Sequence, residues 1–433
     1  MCTDFSITTT NKDTVIGRSM ELGMDLKSDL IFRSVGYKYT QELDKDTLIT
    51  LQNTRGITLC EDVLNIQNLH DWTGCYGYVA MNALEHPIVA NGMNTEGLTT
   101  GTMVLAQSKY QSIPFKDGVA QGANIIFYPF LTSWILSNCK TCQDVVDKLE
   151  VDTLNWEGFE LNKPQSCVQK LRVVDPFNKI PAAFKFHFPV HDVNGCSIVL
   201  EYVDGLLTVS DLHPFGVLTN DPVIAWQQEN VTNNFADVSP VNFQSPSNQE
   251  AFSGNNFTCT TFAQGTGFQG VPGSSTPVDR FVRAAMMNNF SYPVDTAEDA
   301  CILAFHILNT VDIPKGISRE TAVPVDASSN IVSDFTQWVT VSDLSNKTYQ
   351  VRMYDSAEVF SVDLNKLSLQ GLDEVVYPLP VNKTPTSITR NLILKHLCFE
   401  NKVNKEDEAV EMVDISKITF DTSGIFGVFF PQS

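Results

Sequence analysis

The opening of this chain confines its first residues to a hairpin with a thiol at one end. Thr3–Thr10 alternates in polarity, Asn11-Lys12-Asp13 is turn-forming, and Thr14–Met20 resumes the extended pattern, the period-two signature of paired antiparallel strands. If residue 10 pairs with residue 14, Cys2 falls opposite Leu22. The two-residue side-chain period then puts Arg18 and Met20 on the face that carries Cys2. Arg18 lies four residues along in that register, so a bulge or a strong twist is needed to bring it to the sulfur. Removal of Met1, the ordinary expectation when residue 2 is small, makes Cys2 the N-terminus, with a thiol and an α-amine on one residue. Such a residue supplies both the group that attacks a carbonyl and the base that takes the proton. The unperturbed amine titrates near ~7.7–8.0 and the thiol near ~8.5, so little tuning would poise the pair around neutral pH.

The rest of the chain sets helices and antiparallel strands in separate runs. Asn91-Gly92-Met93-Asn94 reads as a turn before a strand over Gly97–Leu105, and Phe130–Cys139 and Gln143–Leu149 read as helices. From Ala182 to Val209 the pattern is strand, turn at Asp192-Val193-Asn194-Gly195, and strand. A polar loop spans about Glu229 to Ser275 and ends in a helix over roughly Pro277–Asn288, with Pro in its first turn. Gln337–Val341 and Thr348–Tyr354 form a further strand pair. This order predicts an α+β fold rather than a parallel, doubly wound sheet.

Composition narrows the function classes. With 29 basic against 50 acidic residues and a net charge of -21, a nucleic-acid partner is disfavoured, because its phosphates would be repelled. No run of eighteen apolar residues marks a membrane span, and no basic, then apolar, leader precedes the hairpin. This reading places the protein in the cytoplasm if Met1 is the native start, and in the periplasm or outside the cell if a signal peptide has been omitted. Ten cysteines in 433 residues are too sparse for a disulfide framework. Cys139-Lys140-Thr141-Cys142 has a redox or metal spacing, but Thr141-Cys142-Gln143-Asp144 fits a capping box and no second pair completes a zinc site. His187 and His191 flank Pro189 and would share a face without a third ligand, so both are read as structural and no metal is expected.

Several separated segments resemble one family, the choloylglycine hydrolases, which are N-terminal-nucleophile hydrolases that include conjugated bile acid hydrolases and penicillin V acylases. Met1-Cys2-Thr3 with Gly17-Arg18-Ser19-Met20-Glu21 is similar to the family's opening hairpin, and Asn91-Gly92-Met93-Asn94-Thr95-Glu96-Gly97-Leu98 to its GMN-x-x-GL segment. Val217-Leu218-Thr219-Asn220-Asp221-Pro222 resembles L-T-N-x-P, while Gly270-Val271-Pro272-Gly273 and Asp279-Arg280-Phe281-Val282-Arg283-Ala284 resemble LPG and S-R-F-x-R-A.

The resemblance implies a four-layer αββα sandwich with two antiparallel sheets over residues 1–360, leaving 361–433 as a strand-containing extension that could be an edge element, a subunit contact or a lid. It implies that Cys2 attacks an amide carbonyl with its own amine as base, that Arg18 favours the thiolate by charge, that Glu21 contacts the amine, and that Arg280 fixes the N-terminal network. Asn220 and the backbone N–H of Val104 would form the oxyanion hole, and Met20 would touch substrate. Two positions depart from the pattern: Glu21 stands where the family often has Asp, and Val104 where it has Asn or Tyr. The loss of Asn at Val104 tilts the expected substrate from glycine- and taurine-conjugated bile acids toward penicillin V and related N-acyl amides. The resemblance implies no cofactor, a small-molecule N-acyl amide as partner, and a homo-oligomer, in this family a homotetramer. The alternative reading is a weak or inactive homologue that keeps the fold and binds amphipathic acyl ligands.

Overall fold

The computed structural model describes residues 1–41, 58–60, 69–83, 88–116, 119–120, 122–155, 170–178, 184–241, 267–319, 332–367, 369 and 374–380. Its N-terminal hairpin joins β1 (Cys2–Thr8) to β2 (Thr14–Leu22). The register differs by two residues from the sequence expectation: Thr8 pairs with Thr14, and Cys2 lies opposite Met20 rather than Leu22. The cause is a five-residue connection. Thr9 closes it, donating its N–H to Asp13 O at 2.9 Å and receiving the Asp13 N–H on Oγ1 at 2.9 Å, while Lys12 adopts a left-handed φ of 74°. Arg18 therefore sits opposite Asp4, two residues along from the Cys2 pair. A bulge does occur, but on the other side of β2, between Met20 and Glu21 in its pairing with the Ser333–Asp343 strand. Gln337 is the extra residue there, and its side chain ties down the Leu22 and Met24 carbonyls and the Leu26 N–H.

Two sheets carry the fold. The first runs, in space, Val217–Leu218, β1, β2, Ser333–Asp343, Thr348–Met353, Phe360–Asp363, with Ser318–Arg319 on the Ser333 end, and every pairing is antiparallel. The second centres on Phe186–His191, Thr99–Gly101, Ile88–Asn94 and Tyr78–Ala83, with Thr153–Asn155 at one edge and Glu374–Tyr377 at the other. Helices Pro277–Phe290 and Ala297–Val311 cover the first sheet, and Leu131–Asn138 with Cys142–Lys148 cover the second. The order helix, sheet, sheet, helix is the αββα sandwich. One core, including Phe281, Leu308 and Trp338, joins the first helical layer and both sheets; the other, including Trp134, Val146 and Phe188, lies under the second helical layer.

Two local expectations are corrected. Asn91–Asn94 belongs to the Ile88–Asn94 strand rather than to a turn, which falls instead at Gly97 with φ +78°. Gly92 is needed for packing: a Cβ there would come within 2.7 Å of Ala80 Cβ and 2.8 Å of Leu136 Cδ1. The polar stretch from Glu229 is helical as far as Asn234, because Gln227 and Val231 bury one face of the Ile224–Asn234 helix. The middle of the expected loop, 242–266, lies outside the described residues. The capping box at Thr141 and Asp144 is present. Past residue 360, the Phe360–Asp363 strand joins the first sheet and Glu374–Tyr377 pairs with Leu30–Arg33 of the second. Residues 381–433 lie outside the described residues. Among the described residues no helix is long and apolar enough to cross a membrane.

Candidate active site

Cys2 lies between two neighbours set by strand register. Val217–Leu218 pairs with β1 through Asp4↔Leu218 and Phe5↔Val217. Carried two residues further, that antiparallel register puts Asn220 beside Cys2. The Cys2 N–H donates to Asn220 Oδ1 at 2.6 Å, and Cys2 Sγ lies 3.6 Å from Met20 Sδ on the opposite side. Arg280, fully buried on the Pro277–Phe290 helix, binds the same group. Its Nη1 donates to Cys2 O at 2.5 Å and Thr3 Oγ1 at 2.7 Å, its Nη2 to Asn220 Oδ1 at 2.8 Å, and its Nε to Ser275 O at 3.0 Å. Asn220 in turn donates Nδ2 to Val104 O at 2.9 Å. Cys2, Met20, Asn220, Val104 and Arg280 are thus brought together from five segments.

Arg18 shares the Cys2 face and points into the layer between the sheets. Its Nη2 donates to the Thr102 carbonyl, and Nη1 lies 3.9 Å from Asp4 Oδ2. Arg18 and Asn220 therefore grip the same short segment, at Thr102 and Val104. Close approach depends on Gly101, where a Cβ would stand 3.0 Å from Arg18 Cζ and 2.8 Å from Ala90 O. Asp4 is shared with His191, whose Nε2 is 2.7 Å from Asp4 Oδ1 and whose Nδ1 meets Ser197 Oγ at 2.8 Å. His187 is held between Glu201 Oε1 at 3.2 Å and Thr219 O at 2.9 Å.

Glu21 is buried, and its backbone holds Met1 in both directions. The Met1 ammonium donates to Glu21 O, and the Glu21 N–H donates to Met1 O at 2.7 Å. The carboxylate receives Thr336 Oγ1 at 3.0 Å. Burial pushes the Glu21 carboxyl above its ordinary value, opposed by the charges of Arg280 and the N-terminal ammonium and by hydrogen bonds from Ser19 and Thr336. Burial likewise lowers the Arg280 guanidinium, opposed by Glu21 and Cys2. The residues missed from sequence are those that serve these groups: Thr3, Asp4, Gly101, Thr102 and Thr336. Asp4 alone carried a signal, as a charge on the Cys2 face of a strand whose neighbours are apolar or small.

A family model described as linear amide C–N hydrolases, choloylglycine hydrolase family, matches residues 2–377. The chain belongs to the choloylglycine hydrolase family. As a member it is an amide hydrolase of the linear C–N class. The bile salt hydrolase/transferase of Clostridium perfringens is 26% identical over 385 residues, covering 89% of this chain and 98% of that protein. The penicillin V acylase of Pectobacterium atrosepticum is 25% identical over 317 residues, covering 69% of each. In fold the chain is similar to the crystal structure of a C2A conjugated bile acid hydrolase from Clostridium perfringens, with a TM-score of 0.65 at 24% identity over 89% of this chain and 98% of that one.

Proposed function

We propose that the protein, after removal of Met1, hydrolyses the amide bond of a small N-acyl substrate through a thioester on Cys2. The observation that carries this reading is the fixing of the Cys2 backbone on both sides, with its nitrogen on Asn220 Oδ1 at 2.6 Å and its carbonyl on Arg280 at 2.5 Å. A nucleophile held by its own main chain loses little freedom on reaching the transition state. The freed α-amine takes the thiol proton as Sγ bonds to the acyl carbon, and returns it to the leaving amine as the C–N bond breaks. Water then cleaves the thioester, releasing the acid and restoring the thiol.

An amide nitrogen carries two N–H groups. One of Asn220's holds Val104 O, which leaves the other for the developing oxyanion, together with the Val104 N–H. Arg18 contributes positive charge to the Cys2 face, and Met20, 3.6 Å from the sulfur, lines the acyl side. Glu21, beside the N-terminal backbone, would hold the freed amine.

For the acyl group, the relatives' names support both conjugated bile acids and penicillin V, and the short apolar side chain at Val104 favours the latter. Amine release from penicillin V, glycocholate, taurocholate and N-acyl homoserine lactones ranks these substrates. Cys2→Ala abolishes turnover on every one of them, and intact mass finds active protein lacking Met1. Wild-type turnover by Cys2→Ala, or active protein that retains Met1, overturns the reading. A homo-oligomer goes with it, tested by light scattering.

A further inference from the structure

A second constellation of reactive side chains sits under the other helical layer, in the core that does not contain Cys2. The Phe186–His191 and Ser197–Val203 strands are joined by the turn Asp192-Val193-Asn194-Gly195, closed by the Gly195 N–H on Asp192 O at 3.0 Å. Asp192 is buried and its carboxylate is fixed from two directions, accepting the Cys142 N–H on Oδ2 and the Asn194 N–H on Oδ1, each at 2.9 Å. Cys142 is fully buried, and Cys196 is half-buried at the end of the turn. The two sulfurs and a carboxylate oxygen all lie within 4.8 Å of one another. The Cys142 sulfur meets two main-chain carbonyls, Val190 O at 3.5 Å and Cys196 O at 3.6 Å. Burial and the neighbouring Cys196 and Asp192 push the Cys142 thiol well above its ordinary value.

We propose that Cys142, Asp192 and Cys196 form a zinc site that ties the Cys142–Lys148 helix to the hairpin of the second sheet. Two sulfurs and one carboxylate are a donor set for zinc rather than for calcium or magnesium, which take oxygen alone. Around tetrahedral zinc with bonds of ~2.0–2.3 Å, ligand atoms stand ~3.3–3.8 Å apart, so the group needs to contract by only about 1 Å. The exposed side of Cys196 leaves the fourth position to water. Binding forms two Zn–S bonds and one Zn–O bond, both thiol protons leave to solvent, and no oxidation state changes. Cys139, three residues before Cys142, is not in the group; the partners come from the hairpin instead, which is why the linear spacing failed to mark the site.

The test uses full-length, reduced protein carrying Cys2→Ala, which removes the thiol of the candidate active site as a competitor for metal. Titration with Co²⁺ gives a thiolate-to-cobalt absorption band that saturates near one equivalent and is bleached by Zn²⁺. The band is lost in Cys142→Ser and Cys196→Ser and kept in Cys75→Ser, which alters an exposed cysteine. Asp192→Asn, which removes the charge and keeps only one of the two accepting oxygens, weakens Zn²⁺ binding by about tenfold or more. Cys196→Ser lies at the half-buried position, and circular dichroism identical to the parent shows that its loss of the band is not unfolding. No saturating band, or a band that persists in Cys196→Ser, overturns the proposal. So does a Cys142–Cys196 disulfide, read by peptide mass, that forms in the presence of excess Zn²⁺.

Discussion

Arg280 meets four acceptors at once: Cys2 O, Thr3 Oγ1, Asn220 Oδ1 and Ser275 O. A planar guanidinium can do this because its donors diverge from one rigid plane, whereas a lysine ammonium offers three donors from a single point. Arg280→Lys keeps the charge and loses the geometry. On the proposed mechanism kcat falls about 100-fold, the scale of a lost oxyanion donor, with a smaller change in KM, and steady-state kinetics check the split. Apart from the family's motif, Arg280 reads in sequence as an ordinary charge in the first turn of a helix; its complete burial is what the structure adds. Cys2 was legible because a single position in the chain can carry both thiol and α-amine. Asn220 was legible only through the family's motif, since its neighbour relation to Cys2 arises from a strand pairing across more than 200 residues.

The N-terminal hairpin illustrates why elements were easier to read than their register. Alternation located both strands, but the turn consumed five residues where three had been expected, because the Thr9 side chain and left-handed Lys12 close a wider loop. Facing was preserved, since a shift of two leaves every side chain on its side of the sheet. The Thr99–Gly101 strand carries a sharper test. Gly101→Ala drives a methyl against Ala90 O and Arg18 Cζ, so the guanidinium must leave Thr102. Turnover drops roughly tenfold or more while circular dichroism stays native, a loss of positioning on the scale of a small displacement near the chemistry. Just past the Arg172–Val174 strand, Asp175 behaves differently. Burial raises its carboxyl from 3.8 to about 6, against the pull of the Phe177 N–H and Lys185. The folded protein therefore holds a proton there that the unfolded chain releases, and this contribution to stability is lost as pH rises from about 4 to about 6. Asp175→Asn keeps the acceptor for Phe177 and removes that loss. Its stability at pH 7 rises by ~1–2 kcal/mol after allowance for solvent screening, measured by urea unfolding at pH 4 and pH 7.

Across the whole molecule, an excess of 21 negative charges acts on a fold built around two hydrophobic cores. Self-repulsion of that size opposes compaction. Raising salt from ~0.01 M to ~0.15 M shortens the screening length from ~30 Å to ~8 Å. The Tm therefore rises by a few degrees with NaCl, and a scan at constant or falling Tm would contradict it. The αββα layering was not visible in composition or periodicity, which reached only as far as α+β, because layer order depends on which sheet each helix covers. The way Met1 is held has a practical side. Residue 1 is clasped on the backbone of Glu21 while residue 2 is buried at 1% exposure, so anything fused ahead of Cys2 must pass along the Glu21 backbone beside the buried thiol. An affinity handle placed there would act as a tethered plug, and preparations bearing one would look inactive until it was cleaved back to the cysteine.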